Sequence, residues 1–240
     1  RDFCLSRGLG DVYKRQRLVS DGMEQEEALY KVLKETIIAS QNIRFEGDGY
    51  SDEWKDEAAR RGLTNICHVP EAIMKFNDPQ SRSVLIGEKI FNENELNCRI
   101  EVELEKFTKK VQIESRVLGD LAINHIVPTA VIYQNRLLEN LRGLKEIFST
   151  EEYEEMTADR KDLVREIQRR ILSIKKAVHD MTEARKVANH LGSQVEKAFS
   201  YEEKVRPYLE EIREHIDSLE LEIDDEIWPL PKYRELLFTK

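Results

Sequence analysis

"VREIQRRILSIKKAVHDM", Val164 to Met181, decides the fold. Val164, Ile167, Ile171, Ile174, Val178 and Met181 recur at alternating steps of three and four. That spacing lines one face of an α-helix and makes a seam of heptad type. Arg185 interrupts the seam, Ala188 resumes it and Gly192 is placed to stop it. A second seam follows at Val205, Leu209, Ile212, Ile216, Leu219 and Ile223, and Ser200 with Glu203 has the form of a capping box ahead of it. Pro207 comes just after that box, so the spacing predicts a kinked turn there or a restart at the proline. Two seams of similar length joined by a short turn predict antiparallel packing. Arg185 and Pro207 spoil both for a long parallel dimer, which favours a bundle within one chain over a coiled coil with a partner.

A third long helix precedes them. Asn92 with Glu95 has the form of a capping box, and Leu96, Ile100, Leu104, Phe107, Val111, Val117, Leu118 and Leu121 follow at three- and four-residue steps. The pattern meets Pro128, resumes through Ile132, Leu137 and Leu141, and ends near Phe148. Proline lacks a backbone donor and clashes with the carbonyl four residues back, so a bend is expected there. His125 and Asn124 sit just before it. His125 reads as a buried or half-buried histidine at a kink rather than a general base, with Asn124 placed to cap a carbonyl that Pro128 leaves free.

Further upstream, Leu29, Leu33, Ile37 and Ile38 share a helical face in "EQEEALYKVLKETIIASQNI". Gly47, Asp48 and Gly49 signal a turn, Ser51 an N-cap with Asp52 and Glu53 behind it, and Gly62 a C′ stop; Trp54 and Ala58 share a face. Pro70 suits the first turn of a short helix through Phe76, and Leu63 to Phe91 otherwise reads as irregular. "RDFCLSRGLGDVYKRQ", residues 1–16, shows no helical period, cap signal or secretory core. It resembles a non-native tail of the kind found at the ends of unrelated proteins from assembled environmental sequence, and on that reading whatever preceded Arg17 is missing. At the other end, Pro229 and Pro231 forbid helix, while Trp228, Leu230, Tyr233, Leu236, Leu237 and Phe238 are too apolar to stay in water. "WPLPKY" therefore reads as a terminal strap on its own subunit or a neighbour, in preference to a proline-rich ligand.

Composition narrows the function classes. With 35% charged and 40% apolar residues in 240, the chain has the balance of a soluble helical protein able to bury a core. A net charge of -9 argues against a nucleic-acid partner, because no counterions are released on binding phosphates. No apolar run reaches the roughly 18 residues of a membrane span. Cys4, Cys67 and Cys98, without C-x-x-C spacing, suit a reducing cytoplasm.

Chemistry-bearing patterns are sparse. His68, His125, His179, His190 and His215 lack the partners at i+3 or i+4 that a zinc site needs, and Cys67 beside His68 diverges from it. Gly8-Leu9-Gly10 lacks the lysine or third glycine of a phosphate loop, and no G-x-S-x-G elbow occurs. Glu151, Glu152, Glu154 and Glu155, and Asp224, Asp225 and Glu226, are acid clusters that read as solvated helix ends rather than cation sites. The residues alone describe a helical scaffold for which no catalytic, cofactor-binding or metal-binding residue is named.

Three longer stretches carry a resemblance: "GDGYSDEWKDEAARRGL" (Gly47 to Leu63), "ESRVLGDLAINHIVPTAVIYQNRLLENLRGLK" (Glu114 to Lys145) and "DDEIWPLPKYRELLFTK" (Asp224 to Lys240). In their order they resemble the C-terminal part of a type III glutamine synthetase, from about Leu18 to the last residue. The resemblance implies a mostly α fold: an antiparallel helical bundle with long, proline-kinked helices, preceded by the last helices of a glutamine synthetase catalytic domain. It implies a division into a non-native tail at 1–16, the end of the catalytic domain at 17–62 and the family's helical C-terminal domain at 63–240. It implies a parent enzyme that makes glutamine from glutamate and ammonia with ATP, through γ-glutamyl phosphate held by Mg2+ or Mn2+. It further implies a cytoplasmic double-ring homo-oligomer, with neither nucleic acid nor membrane as partner. The family's metal carboxylates, phosphate-clamping arginines and ATP contacts lie upstream of these motifs, so none is carried onto a residue here. The alternative is a free-standing helical adaptor that binds partner helices through the seams around Ile171 and Ile212.

Overall fold

The computed structural model describes residues 10–41 and 44–238, and among them there is no β-strand. The chain divides into two compact units, 1–66 and 67–240.

In the first unit, helix α1 (Gly10–Ser20) and α2 (Gln25–Ala39) pack on one another, and α3 (Asp52–Arg60) follows a turn. Ser51 caps α3 by accepting from the Trp54 backbone N–H, and Gly62 stops it with a φ of 73°, a conformation glycine adopts without strain. Phe45 stacks on Trp54 with centroids 4.6 Å apart, and Arg61 lies over the same indole. One expectation is corrected. The segment of the supposed tail from Gly10 onward is helical, although it buries no residue, while residues 1–9 lie outside the described residues. On α2 the buried positions are Ala28 and Val32, and the expected apolar face is the exposed one.

The second unit is the bundle. Short helices α4 (Val69–Met74, with Pro70 in its first turn) and α5 (Pro79–Gly87) precede α6 (Glu93–Leu121). Asn92 and Glu95 form the expected capping box, each side chain bonded to the other's backbone N–H at 2.9 and 2.8 Å. Leu96, Ile100 and Leu104 make a satellite core with Ala198.

The bend at Pro128 takes a specific form. α6 passes into a single π turn, Ala122–Ile126, and continues as α7 (Val127–Ile147), with Pro128 in the first turn of the new segment. The Val127 N–H reaches back to the Ala122 carbonyl, five residues earlier, which loosens the turn where the proline ring would collide. Asn124 does not cap a freed carbonyl, as expected; it is exposed and donates to Asp120 at 2.6 Å. Thr129, just after the proline, donates its hydroxyl to the His125 carbonyl at 2.9 Å.

The same solution recurs at Pro207. α9 (Gln194–Ser200) runs through a second π turn, Tyr201–Val205, into α10 (Arg206–Glu222), again with the proline just inside. Ser200 is therefore not an N-cap. It lies within a continuing helix, and its buried hydroxyl finds no partner among the described residues. The S-x-x-E motif falls where the chain has already been helical for more than a full turn.

α8 (Thr150–Asn189) is the 40-residue axis. Its pairings with the α6–α7 rod fall in reverse order: Gln112 with Asn189, Gln134 with the Val164 carbonyl and Asn140 with Arg160. The α9–α10 rod runs parallel to α6–α7, as Thr108 with Gln194 and Arg136 with Asp224 require. The three rods thus form an antiparallel bundle around Ile167, Ile171, Ile174, Met181, Ile212 and Leu219. No helix is long and apolar enough to cross a membrane, among the described residues.

Candidate functional site

The most concentrated polar chemistry in the bundle lies on the second π turn. Tyr201 is fully buried, and its hydroxyl donates to Asn189 Oδ1 at 2.8 Å, which also accepts from Gln112 Nε2 at 3.3 Å. Burial pushes the Tyr201 phenol above its ordinary value, opposed by side-chain hydrogen bonding with Gln112 and Asn189 and by the charges of Arg185 and Arg116. Next to it Glu202 keeps only 4% of its side chain exposed. Its Oε1 meets His68 Nδ1 at 2.9 Å and Arg206 Nη1 at 2.7 Å, while Oε2 is buried without a partner among the described residues. A buried carboxylate needs its partners, so His68 and Arg206 tie the start of α4 and the start of α10 to one turn.

Removing only the Tyr201 hydroxyl tests this cluster. Tyr201→Phe is expected to cost about 1 kcal/mol, since Asn189 keeps Gln112 as a donor. A phenol raised on folding stabilises fully below its unfolded value near 10 and loses that contribution as pH rises through its folded value. Alkaline denaturation is therefore expected to be shallower in the phenylalanine variant; superimposable alkaline curves would count against a buried, coupled phenol.

A second polar cluster holds the C-terminal strap. Lys232 is buried, and its ammonium donates to the Glu220 carbonyl at 2.6 Å and the Ile223 carbonyl at 3.0 Å. It also pairs with Asp225 at 2.5 Å and lies over the Trp228 ring. Those carbonyls end α10, where a helix leaves acceptors unpaired and favours a cation. Trp228 and Leu230 pack on the main core, so that part of the strap docks on its own chain. They help line a cavity of about 250 Å³ with Leu118, Ile126 and Ile216. Leu236, Leu237 and Phe238, expected to dock as well, remain exposed. The Tyr233 side chain lies outside the described residues.

The other candidates are scattered. His125 is exposed, contrary to the half-buried position expected, because the π turn rotates it off the packed face. His179 is exposed, His190 bonds the Lys186 carbonyl at 2.7 Å, and His215 is half-buried with Nδ1 unpartnered among the described residues. Of the acid clusters, Glu152 closes a capping box with Ser149 on α8, and Glu154 pairs with Lys161. The local signal for this cap is the S-x-x-E at Ser149. The hydroxyl of Ser149 holds the Glu152 carboxyl below its usual range. Asp224 and Asp225 pair with Arg136, Lys232 and Arg234 in the strap. Among the described residues no three His, Cys, Asp or Glu side chains converge as a metal-binding group.

Comparison with known proteins gives the context. Residues 28–145 match the glutamine synthetase C-terminal domain. A glutamine synthetase of Bacteroides fragilis (strain YCH46) is 74% identical over 224 residues, which are 93% of this chain and 31% of that protein. The type-3 glutamine synthetase of Dictyostelium discoideum is 27% identical over 226 residues, 90% of this chain and 29% of that protein. A glutamine synthetase of Butyrivibrio fibrisolvens is 28% identical over 218 residues, 91% and 31% respectively. The chain spans about a third of the length of these curated relatives. The domain match over residues 28–145 and the 74% identity to the Bacteroides protein agree, and this chain is similar along 93% of its length to part of a glutamine synthetase.

Proposed function

We propose that this chain is the C-terminal, structural portion of a glutamine synthetase of type III, contributing packing and assembly while the chemistry resides elsewhere in the parent. The observation that carries the reading is 74% identity along 93% of the chain to a glutamine synthetase three times as long. In this reading residues 1–16 are a non-native tail, 17–62 end the catalytic domain and 63–240 form the helical C-terminal domain. The parent is a cytoplasmic ligase that joins glutamate and ammonia using ATP and Mg2+ or Mn2+, and it assembles as a double-ring homo-oligomer. Buried ion pairs and hydrogen bonds at Glu202, Tyr201 and Lys232 serve shape rather than turnover.

The test pairs two proteins. The 240-residue chain is expected to show no γ-glutamyl transfer, and the gene restored upstream of Arg17 is expected to encode an active enzyme. Turnover by the 240-residue chain itself, or an upstream frame without glutamine synthetase catalytic motifs, overturns the proposal. In the second case the free-standing adaptor takes its place.

A further inference from the structure

Helix α2 is built inside out. Its own unit covers Ala28 and Val32, which are small, while Leu29, Leu33 and Ile37 stay 43%, 51% and 50% exposed. These three recur every fourth residue and form a row about 12 Å long at 1.5 Å per residue. Tyr30 at 68% and Ile38 at 60% flank it. Single exposed apolar residues are ordinary, but a helix that turns its larger apolar side chains outward and buries its smaller ones presents an interface.

The location of the row indicates its occupant. The match to the C-terminal domain begins at Ala28, inside α2, whereas the relatives are about three times the length of this chain. On the reading given under Proposed function, the remaining two thirds of such a protein precedes this chain. We infer that the Leu29–Leu33–Ile37 row docks on the part of the parent polypeptide that precedes this chain, through an apolar surface of that part. The inference rests on the reading given under Proposed function and adds to it the contact face.

Cysteine accessibility tests this. In a background of Cys4→Ser, Cys67→Ser and Cys98→Ser, Leu33→Cys is treated with a maleimide in the 240-residue chain and in the chain extended upstream to the relatives' length. Ile37→Cys is treated alongside as a second probe of the same row. In the 240-residue chain both are expected to react within about tenfold of the denatured rate, and in the extended protein to slow by more than about tenfold, as burial behind a cooperative unit requires. Equal reactivity in an extended, catalytically active protein overturns the inference and leaves the parent assignment standing. Protection already present in the 240-residue chain also overturns it: relief on dilution would assign the row to a second copy, and protection at all concentrations to the chain's own bundle. Protection in an extended protein that lacks γ-glutamyl ligase activity would support the contact while removing the enzyme assignment.

Discussion

Ile174→Ala is expected to lower the stability of the bundle by about 3 kcal/mol, within the range for truncating a buried isoleucine. Ile174 is fully buried at the middle of the 40-residue α8, against which both other rods pack. Three carbons are lost from a site enclosed on several sides, and rods tied along their length by side-chain bonds cannot close over the hole. For a unit of this size the melting midpoint should fall by roughly 6–12 °C. Leu172→Ala, two residues away on the same helix and 59% exposed, provides the contrast and should cost about 0.5 kcal/mol or less. Equal midpoints for the two variants in calorimetry would mean that the seam does not face the core.

Lys232→Met should release the C-terminal strap. The methionine keeps most of the stem but leaves the Glu220 and Ile223 carbonyls without the ammonium, and Asp225 with Arg234 as its remaining partner. Hydrogen bonds from a charged donor at a helix end contribute about 1.5–3 kcal/mol. About 2 kcal/mol corresponds to roughly thirtyfold faster opening. That is readable as amide exchange at Ile223 and Trp228, and as a red-shifted Trp228 emission in a Trp54→Phe background. Exchange within about twofold of the parent and an unchanged emission would remove Lys232 from the latch.

Much of this fold was legible because its information is local. The capping box at Asn92 and the three-four spacing of α6, α8 and α10 depend on residues within a turn or two of one another, and Ile167, Ile171, Ile174, Ile212 and Leu219 are buried as their spacing requires. What failed to show were features fixed by tertiary context. An S-x-x-E at Ser200 is indistinguishable from a cap until the chain before it is known to be helical. A proline in an apolar helix predicts a bend without saying that a π turn will absorb it, or that His125 will end up exposed. The polar clusters were hidden for the same reason, since His68 meets Glu202 across 134 positions of sequence. On α2 the pattern identified an apolar face correctly and could not say that its cover is absent from its own unit.

The strap also imposes an order in time. Synthesis delivers the N-terminal part of a chain first, and cooperative units close as their parts arrive. The end of α10 depends on an ammonium supplied nine and twelve positions after the carbonyls it satisfies. While those residues are still within the ribosome, the bundle has its seams but not its latch, and the surface that Trp228 and Leu230 cover is bare. Completion of this fold thus waits on residues that follow the last long helix of the bundle. A premature stop between Ile223 and Lys232 would yield a helical product permanently held at that unfinished stage, with its adhesive surface open to other chains.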